Sequence, residues 1–83
     1  MSQRTDRIEA TFVDIDHHLE EAEGAVDRGV LIEQILIAHE NLIYARIDMG
    51  KLRDNLTKSG AMSMANCIES RIEALLLRAI SEN

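Results

Sequence analysis

The chain has 83 residues with one cysteine, no proline, one phenylalanine and one tyrosine, and its formal net charge is −6. A chain this short forms one domain, residues 1 to 83, with a thin core, because small domains bury only about 60% of their unfolded surface. The lone cysteine excludes an internal disulfide and no zinc-type cluster is present, so self-association is the expected support. The scarcity of aromatic residues argues against binding of single-stranded nucleic acid.

The first predicted helix covers residues 3 to 23. Its apolar residues recur at alternating steps of four and three, which places them along one side of a helix. They are Ile8, Phe12, Ile15, Leu19, Ala22 and Val26. Residues 1 to 27 hold two arginines and eight carboxylates, a sum of −6 that equals the net charge of the whole chain.

This acidic segment has two interpretations. It attracts a basic protein partner, or it is a solvated face that only keeps the protein in solution. For the first, the predicted partner-binding residues are Asp16, Glu20, Glu21 and Glu23.

The second predicted helix, residues 28 to 59, is the longest. The same spacing runs through Leu31, Ile35, Ala38, Leu42, Ala45, Met49, Leu52 and Leu56. Between residues 31 and 47 the helix is apolar almost all round, so it is expected to be buried on several sides. A second copy of the chain is the simplest cover. The predicted oligomer interface is Leu31, Ile32, Ile35, Leu36, His39, Leu42, Ile43, Tyr44 and Ile47.

Two similar tetrapeptides predict the turns between helices. Gly24-Ala25-Val26-Asp27 and Gly60-Ala61-Met62-Ser63 both read glycine, alanine, an apolar residue and a side chain with a capping oxygen. Each glycine is expected in the left-handed conformation that ends a helix, and Asp27 or Ser63 is expected to cap the next one. Val26 and Met62 are expected to pack on Leu31 and Cys67 as hydrophobic staples. Gly29 is an alternative end for the first helix.

The third predicted helix covers residues 64 to 81 and repeats the spacing at Ala65, Ile68, Ile72, Leu75 and Ala79. At 1.5 Å per residue, the second helix spans about 45 Å and the others about 30 Å. The predicted fold is therefore all-α, with three antiparallel amphipathic helices, a long central helix and coiled-coil-like packing. Homo-oligomerisation is expected to complete the bundle.

The three histidines and the single cysteine are the candidates for chemistry. Asp14, His17, His18 and Glu21 have spacing compatible with a metal, but they lie away from the apolar side, so no metal ligand and no cofactor are predicted. His39 is interpreted as a polar residue of an interface, and Cys67 as a small thiol of the core.

Four arginines recur at intervals of seven residues: Arg46, Arg53, Arg71 and Arg78. A groove between the second and third helices could use them to bind an anion or a nucleotide phosphate. The competing interpretation pairs the cations with carboxylates that flank the bundle: Asp48, Asp54, Glu69 and Glu73.

No catalytic set, phosphate-binding loop or membrane-spanning run is visible in the sequence. We expect a cytoplasmic, non-catalytic, homo-oligomeric protein that binds an unidentified, basic protein as an adaptor, chaperone or regulator, without direct nucleic-acid or membrane contact. One alternative is an acidic, phage-type inhibitor that acts as a decoy for a nucleic-acid-binding or defence protein. Another is a module that binds a small ligand, nucleotide or metal.

Overall fold

A computed structural model describes the backbone of residues 3 to 81 and the side chains of residues 5 to 81. This part of the chain forms three packed helices and no strand: α1 (Gln3–Glu23), α2 (Arg28–Gly50) and α3 (Asn55–Ser81). The predicted all-α class is confirmed. Between residues 3 and 81, no helix combines the length and the apolar character that crossing a membrane requires.

The interior takes one stripe of side chains from each helix. Among the described side chains every buried one is hydrophobic. The stripes are Ile8, Phe12, Ile15, Leu19 and Ala22 of α1, Leu31, Ile35, Ala38, Leu42, Ala45 and Met49 of α2, and Ala65, Ile68, Ile72, Leu75 and Ala79 of α3. The spacing of four and three residues predicts all of these. It fails at Val26 and Leu56, which are 99% and 83% exposed, and Leu52 is only partly buried.

Contacts between side chains give the order in which the helices pass one another. Arg7, near the start of α1, lies 3.7 Å from Asp48, near the end of α2. His18, further along α1, lies 2.6 Å from Gln34 in the first half of α2. Both α1 and α3 pack mainly on α2 and contact each other much less.

The predicted turn after α1 is present, but its geometry differs in part. Asp27 caps α2 by accepting a 2.9 Å hydrogen bond from the Gly29 N–H. Gly24 does not adopt the expected left-handed conformation. Instead, the Arg78 guanidinium of α3 donates hydrogen bonds to the carbonyl oxygens of Glu23 and Ala25 at 3.1 and 2.8 Å. The staple from Val26 is also absent, since that side chain is almost fully exposed.

The second predicted turn is wrong. The chain leaves α2 after Gly50, and α3 begins at Asn55, so Gly60 and Ser63 lie inside α3. Asp54 is the capping residue: its carboxylate accepts hydrogen bonds from the Thr57 hydroxyl and, at 3.0 Å, from the Thr57 N–H. These bonds lower the pKa of Asp54 below its ordinary value of 3.8. Met62 and Cys67 are both exposed on α3, so they form no staple at a helix entry.

The shift of this turn makes the three helices similar in length. With 21, 23 and 27 residues they span about 32, 35 and 41 Å. The central helix is therefore not the longest, and α3 is long enough to run along all of α2. The expected excess length of α2 over its neighbours does not exist, so any need for a second copy must come from the sides of the helices.

Replacing Gly60 with alanine distinguishes a turn from a helix interior at this position. A Cβ atom at Gly60 would meet no heavy atom within 4 Å. We expect Gly60→Ala to raise the free energy of unfolding by up to about 1 kcal/mol, because alanine is the better helix former. Thermal unfolding followed by circular dichroism measures this. A lower melting temperature would place Gly60 back in a turn.

Asp54, the observed cap of α3, and Ser63, the cap expected from the sequence, should respond differently when each is replaced with alanine. Asp54→Ala should lower the melting temperature at pH 7, whereas Ser63→Ala on the exposed side of α3 should not. Because the folded-state pKa of Asp54 is depressed, its stabilisation is present above pH 3.8 and is lost as the pH falls through that lower pKa. The gap between the two variants should therefore close in strong acid. Equal melting temperatures at pH 7 would contradict the assignment.

Candidate interaction surfaces

Arg71 links α1 and α3 at one point along their length. Its guanidinium lies 2.7 Å from Asp16 and 3.2 Å from Glu23, one carboxylate on each side. The hydrogen bond that Arg71 donates to Asp16 raises the pKa of Arg71, and so do its hydrogen bond to Glu23 and the nearby negative charges. Seven residues later Arg78 binds the carbonyl oxygens at the end of α1. Both arginines therefore attach α3 to α1.

The four predicted anion-binding arginines do not line one groove. Arg46 lies on the side of α2 that meets α3, where its guanidinium is 3.0 Å from Glu69 and 3.4 Å from the Asn66 side chain. Arg53 is exposed in the loop between α2 and α3, while Arg71 and Arg78 face α1. The Arg46–Glu69 pair agrees with the alternative that these cations form ion pairs beside the bundle.

The predicted acidic partner-binding set also divides in the structure. Asp16 and Glu23 face α3 through their ion pairs with Arg71. Glu21 lies on another side of α1, with its carboxylate 3.9 Å from the His17 ring. Glu20 is exposed between these two sides. The four carboxylates therefore do not present one continuous surface.

The paired histidines are engaged by different neighbours. His18 contacts Gln34 of α2, whereas the ring of His17 lies near Glu21 on α1. In the part of the chain that the structure describes, no three His, Cys, Asp or Glu side chains are grouped closely enough to hold a metal ion.

The predicted oligomer interface separates into buried and exposed members. Leu31, Ile35 and Leu42 are at most 3% exposed, because α1 and α3 of the same chain already cover them. Their assignment to an interface between copies is corrected: they belong to the interior of one chain. The remaining members are exposed on the outer side of α2: Ile32, Leu36, His39, Ile43, Tyr44 and Ile47.

Two large apolar residues of α3 extend this outer side. Leu76 and Ile80 follow Glu69 by seven and eleven residues, so they lie on the same side of α3 as the Glu69 carboxylate that faces α2. On α2, Ile43 and Ile32 precede Arg46 by three and fourteen residues, so helical periodicity places them on the side of α2 from which Arg46 reaches α3. We name the surface of six exposed residues the α2–α3 face: Ile32, Leu36, Ile43, Ile47, Leu76 and Ile80.

A groove opens on the opposite side of α3, between that helix and α1. Its cavity has a volume of about 650 Å³. Phe12 and Ile68 form the floor, and the more exposed Val13, Met64 and Cys67 lie along the sides. A smaller cavity, which shares Phe12 and Met64 with the first, continues towards the loop after α2. We name this surface the α1–α3 groove.

The groove corrects the interpretation of Cys67. Its thiol is exposed and lines the groove, so it is not a residue of the core. The sequence pattern does not predict the groove, because Gly60 and Ala61 resemble a turn although they lie inside α3. Both line the smaller cavity, where the lack of any larger side chain leaves space beside α1.

Comparison with protein-family models, with curated proteins and with solved structures finds no match.

The Arg71 ion pairs predict a modest and salt-dependent contribution to stability. Because all three side chains are partly exposed, Arg71→Gln should lower the free energy of unfolding by about 0.5 to 1 kcal/mol, and less in high salt. Urea unfolding at low and high salt measures both effects. Arg53→Gln, in the loop, is the control and should change little. Equal effects of the two substitutions would show that the Arg71 pairs do not stabilise the fold.

Proposed function

We propose that this chain is a non-catalytic interaction protein that assembles with copies of itself through the α2–α3 face. The observation that carries the proposal is the exposure of six large aliphatic side chains on two neighbouring helices. A contiguous apolar patch of this kind on a small protein marks an interaction site or a risk of aggregation. Covering it with an identical face removes that risk.

The shape of the single chain supports this assignment. Its radius of gyration is 13.7 Å, against about 12 Å for a compact domain of 83 residues, and its extents are 44, 17 and 16 Å. A rod this thin leaves one side of every helix uncovered. The neighbouring helices α2 and α3, with 23 and 27 residues, give a long face that a second copy can match along its length.

A two-fold axis is the simplest arrangement, because it pairs the same patch of both copies and closes the assembly as a dimer. His39 lies seven residues from both Ile32 and Arg46, beside the apolar residues of the face. There it is a polar group that can fix the register of the two copies.

Association leaves α1 at the outside of the assembly, since α1 contacts α2 on the side away from the face. The acidic residues of α1 then remain open to a protein partner of opposite charge. We therefore propose an adaptor, chaperone or regulator in which α2 and α3 hold the copies together and α1 meets the partner.

Two adjacent residues of α2 test the self-association. Leu36 is 62% exposed on the α2–α3 face, whereas Ile35 is buried. Leu36→Asp should leave the helices folded and weaken the dimer at least about a hundredfold, because a symmetric interface loses one large apolar side chain from each copy. Ile35→Asp should unfold the chain, since it buries a carboxylate in the apolar interior. Sedimentation equilibrium and circular dichroism measure these outcomes.

Leu56→Asp is the matched control, because Leu56 is highly exposed in the first turn of α3 and outside the face. This variant should assemble like the unaltered protein. The proposal would be overturned if the unaltered protein sedimented only as a 9.3 kDa species at micromolar concentration. A Leu36→Asp variant that dimerises normally would place the interface elsewhere.

A further inference from the structure

The α1–α3 groove is a second apolar surface, and it lies on the opposite side of α3 from the α2–α3 face. It exists because α1 and α3 each pack on α2 and contact each other little. Along α1 it runs from Thr5 to Asp16, a distance of about 16 Å at 1.5 Å per residue. Self-association through the α2–α3 face leaves this groove open.

The two ends of the groove differ. At one end, the ion pair between Arg71 and Asp16 bridges α1 and α3. Glu23, two turns further along α1, forms a second ion pair with the same guanidinium. Towards the other end, the small residues Gly60 and Ala61 and the half-buried Leu52 keep the floor wide and apolar. The result is a trough of about three helical turns that is fixed at one end by charge pairs.

The rims of the trough are unequal in charge. Glu9 and Asp16 line the groove, and Glu23 follows Asp16 by seven residues, so these three carboxylates share the α3-facing side of α1. The groove-lining residues of α3 include one cation, Arg71, and this side chain already meets two carboxylates. The trough therefore combines an apolar floor with a negatively charged rim.

We propose that the α1–α3 groove binds an amphipathic helix of a partner protein, with its apolar side on Phe12 and Met64 and its lysine or arginine side chains against the α1 rim. Helices bind apolar troughs of this kind through residues at intervals of three, four and seven. The acidic rim selects a basic flank on the bound helix and speeds its approach. This binding site rests on the proposed function, in which α1 meets a protein partner. It places that partner in the α1–α3 groove and gives its chemical class as a basic amphipathic helix.

Cys67 reports on the occupancy of the groove, because it is the sole cysteine of the chain and its exposed thiol lines the cavity. The probe is a synthetic 14-residue helix with leucines on one side and lysines on its flanks. We expect it to slow alkylation of Cys67 by iodoacetamide several-fold. A scrambled peptide of the same composition, which has no apolar side, should not slow it. Equal protection by both peptides would overturn the proposal.

Matched variants separate the floor of the groove from its rim. Met64→Glu places a charge in the trough and should abolish peptide binding measured by calorimetry, whereas Met62→Glu, two residues away and outside both cavities, should not. Glu9→Lys should weaken binding about two- to fivefold, and the same change at the exposed Glu33 of α2 should have little effect. Equal effects within either pair would contradict the assigned site.

The Leu36→Asp variant keeps this test apart from that of self-association. The peptide should protect Cys67 in that variant as well as in the unaltered protein, because Leu36 lies on the other surface. If Cys67 in the absence of peptide instead becomes protected as the protein concentration rises, and Met64→Glu removes that protection, a second copy occupies the groove and the proposal is overturned.

Discussion

Each helix of this protein contributes only one stripe of side chains to the interior, and this constraint determines the rest of the molecule. Three stripes spaced by four and three residues meet around Ile15, Ile35 and Ile72, with no polar group buried among the described side chains. Such a core holds three helices together chiefly through hydrophobic burial, and the ion pairs at its edges add a smaller contribution. It covers a narrow sector of each helix, and everything outside that sector remains exposed.

The consequence is most visible on α2, whose sequence is apolar well beyond its buried stripe. Ile32, Leu36, Ile43 and Ile47 are exposed at the surface, although each is as large as the side chains that fill the interior. Polar side chains at these four exposed positions would not have disturbed the packing of the interior. Two exposed apolar surfaces, the α2–α3 face and the α1–α3 groove, therefore distinguish this chain from a self-sufficient bundle, and they lie on opposite sides of α3.

The sequence predicts the class of the fold and the whole interior, because one period runs through all three helices. It predicts the first turn through Asp27, whose carboxylate caps α2. The second turn is misplaced for a physical reason: Leu52 and Leu56 continue the spacing of α2 by coincidence, and Gly60 and Ala61 resemble a turn although they lie in a helix. Asp54, four residues after Gly50, was the signal that marks the true start of α3.

The surfaces could be predicted only in part. Heptad spacing places Leu36 and Ile43 outside the core, but the partnership of Leu76 and Ile80 with them depends on which side of α3 meets α2. The Arg46–Glu69 contact fixes that side. The groove depends in turn on the small residues near Gly60 facing α1. Pairings of this kind follow from three-dimensional packing, so a one-dimensional pattern does not contain them.

The most direct test of the account is an isotope-filtered NMR measurement on an equal mixture of labelled and unlabelled chains, which detects contacts between methyl groups of different copies. Self-association through the α2–α3 face predicts such contacts at Ile32, Leu36, Ile43, Ile47, Leu76 and Ile80, and none at the interior residues Ile35 and Ile72. Contacts confined to Val13 and Met64, or no contact between copies at millimolar concentration, would contradict it.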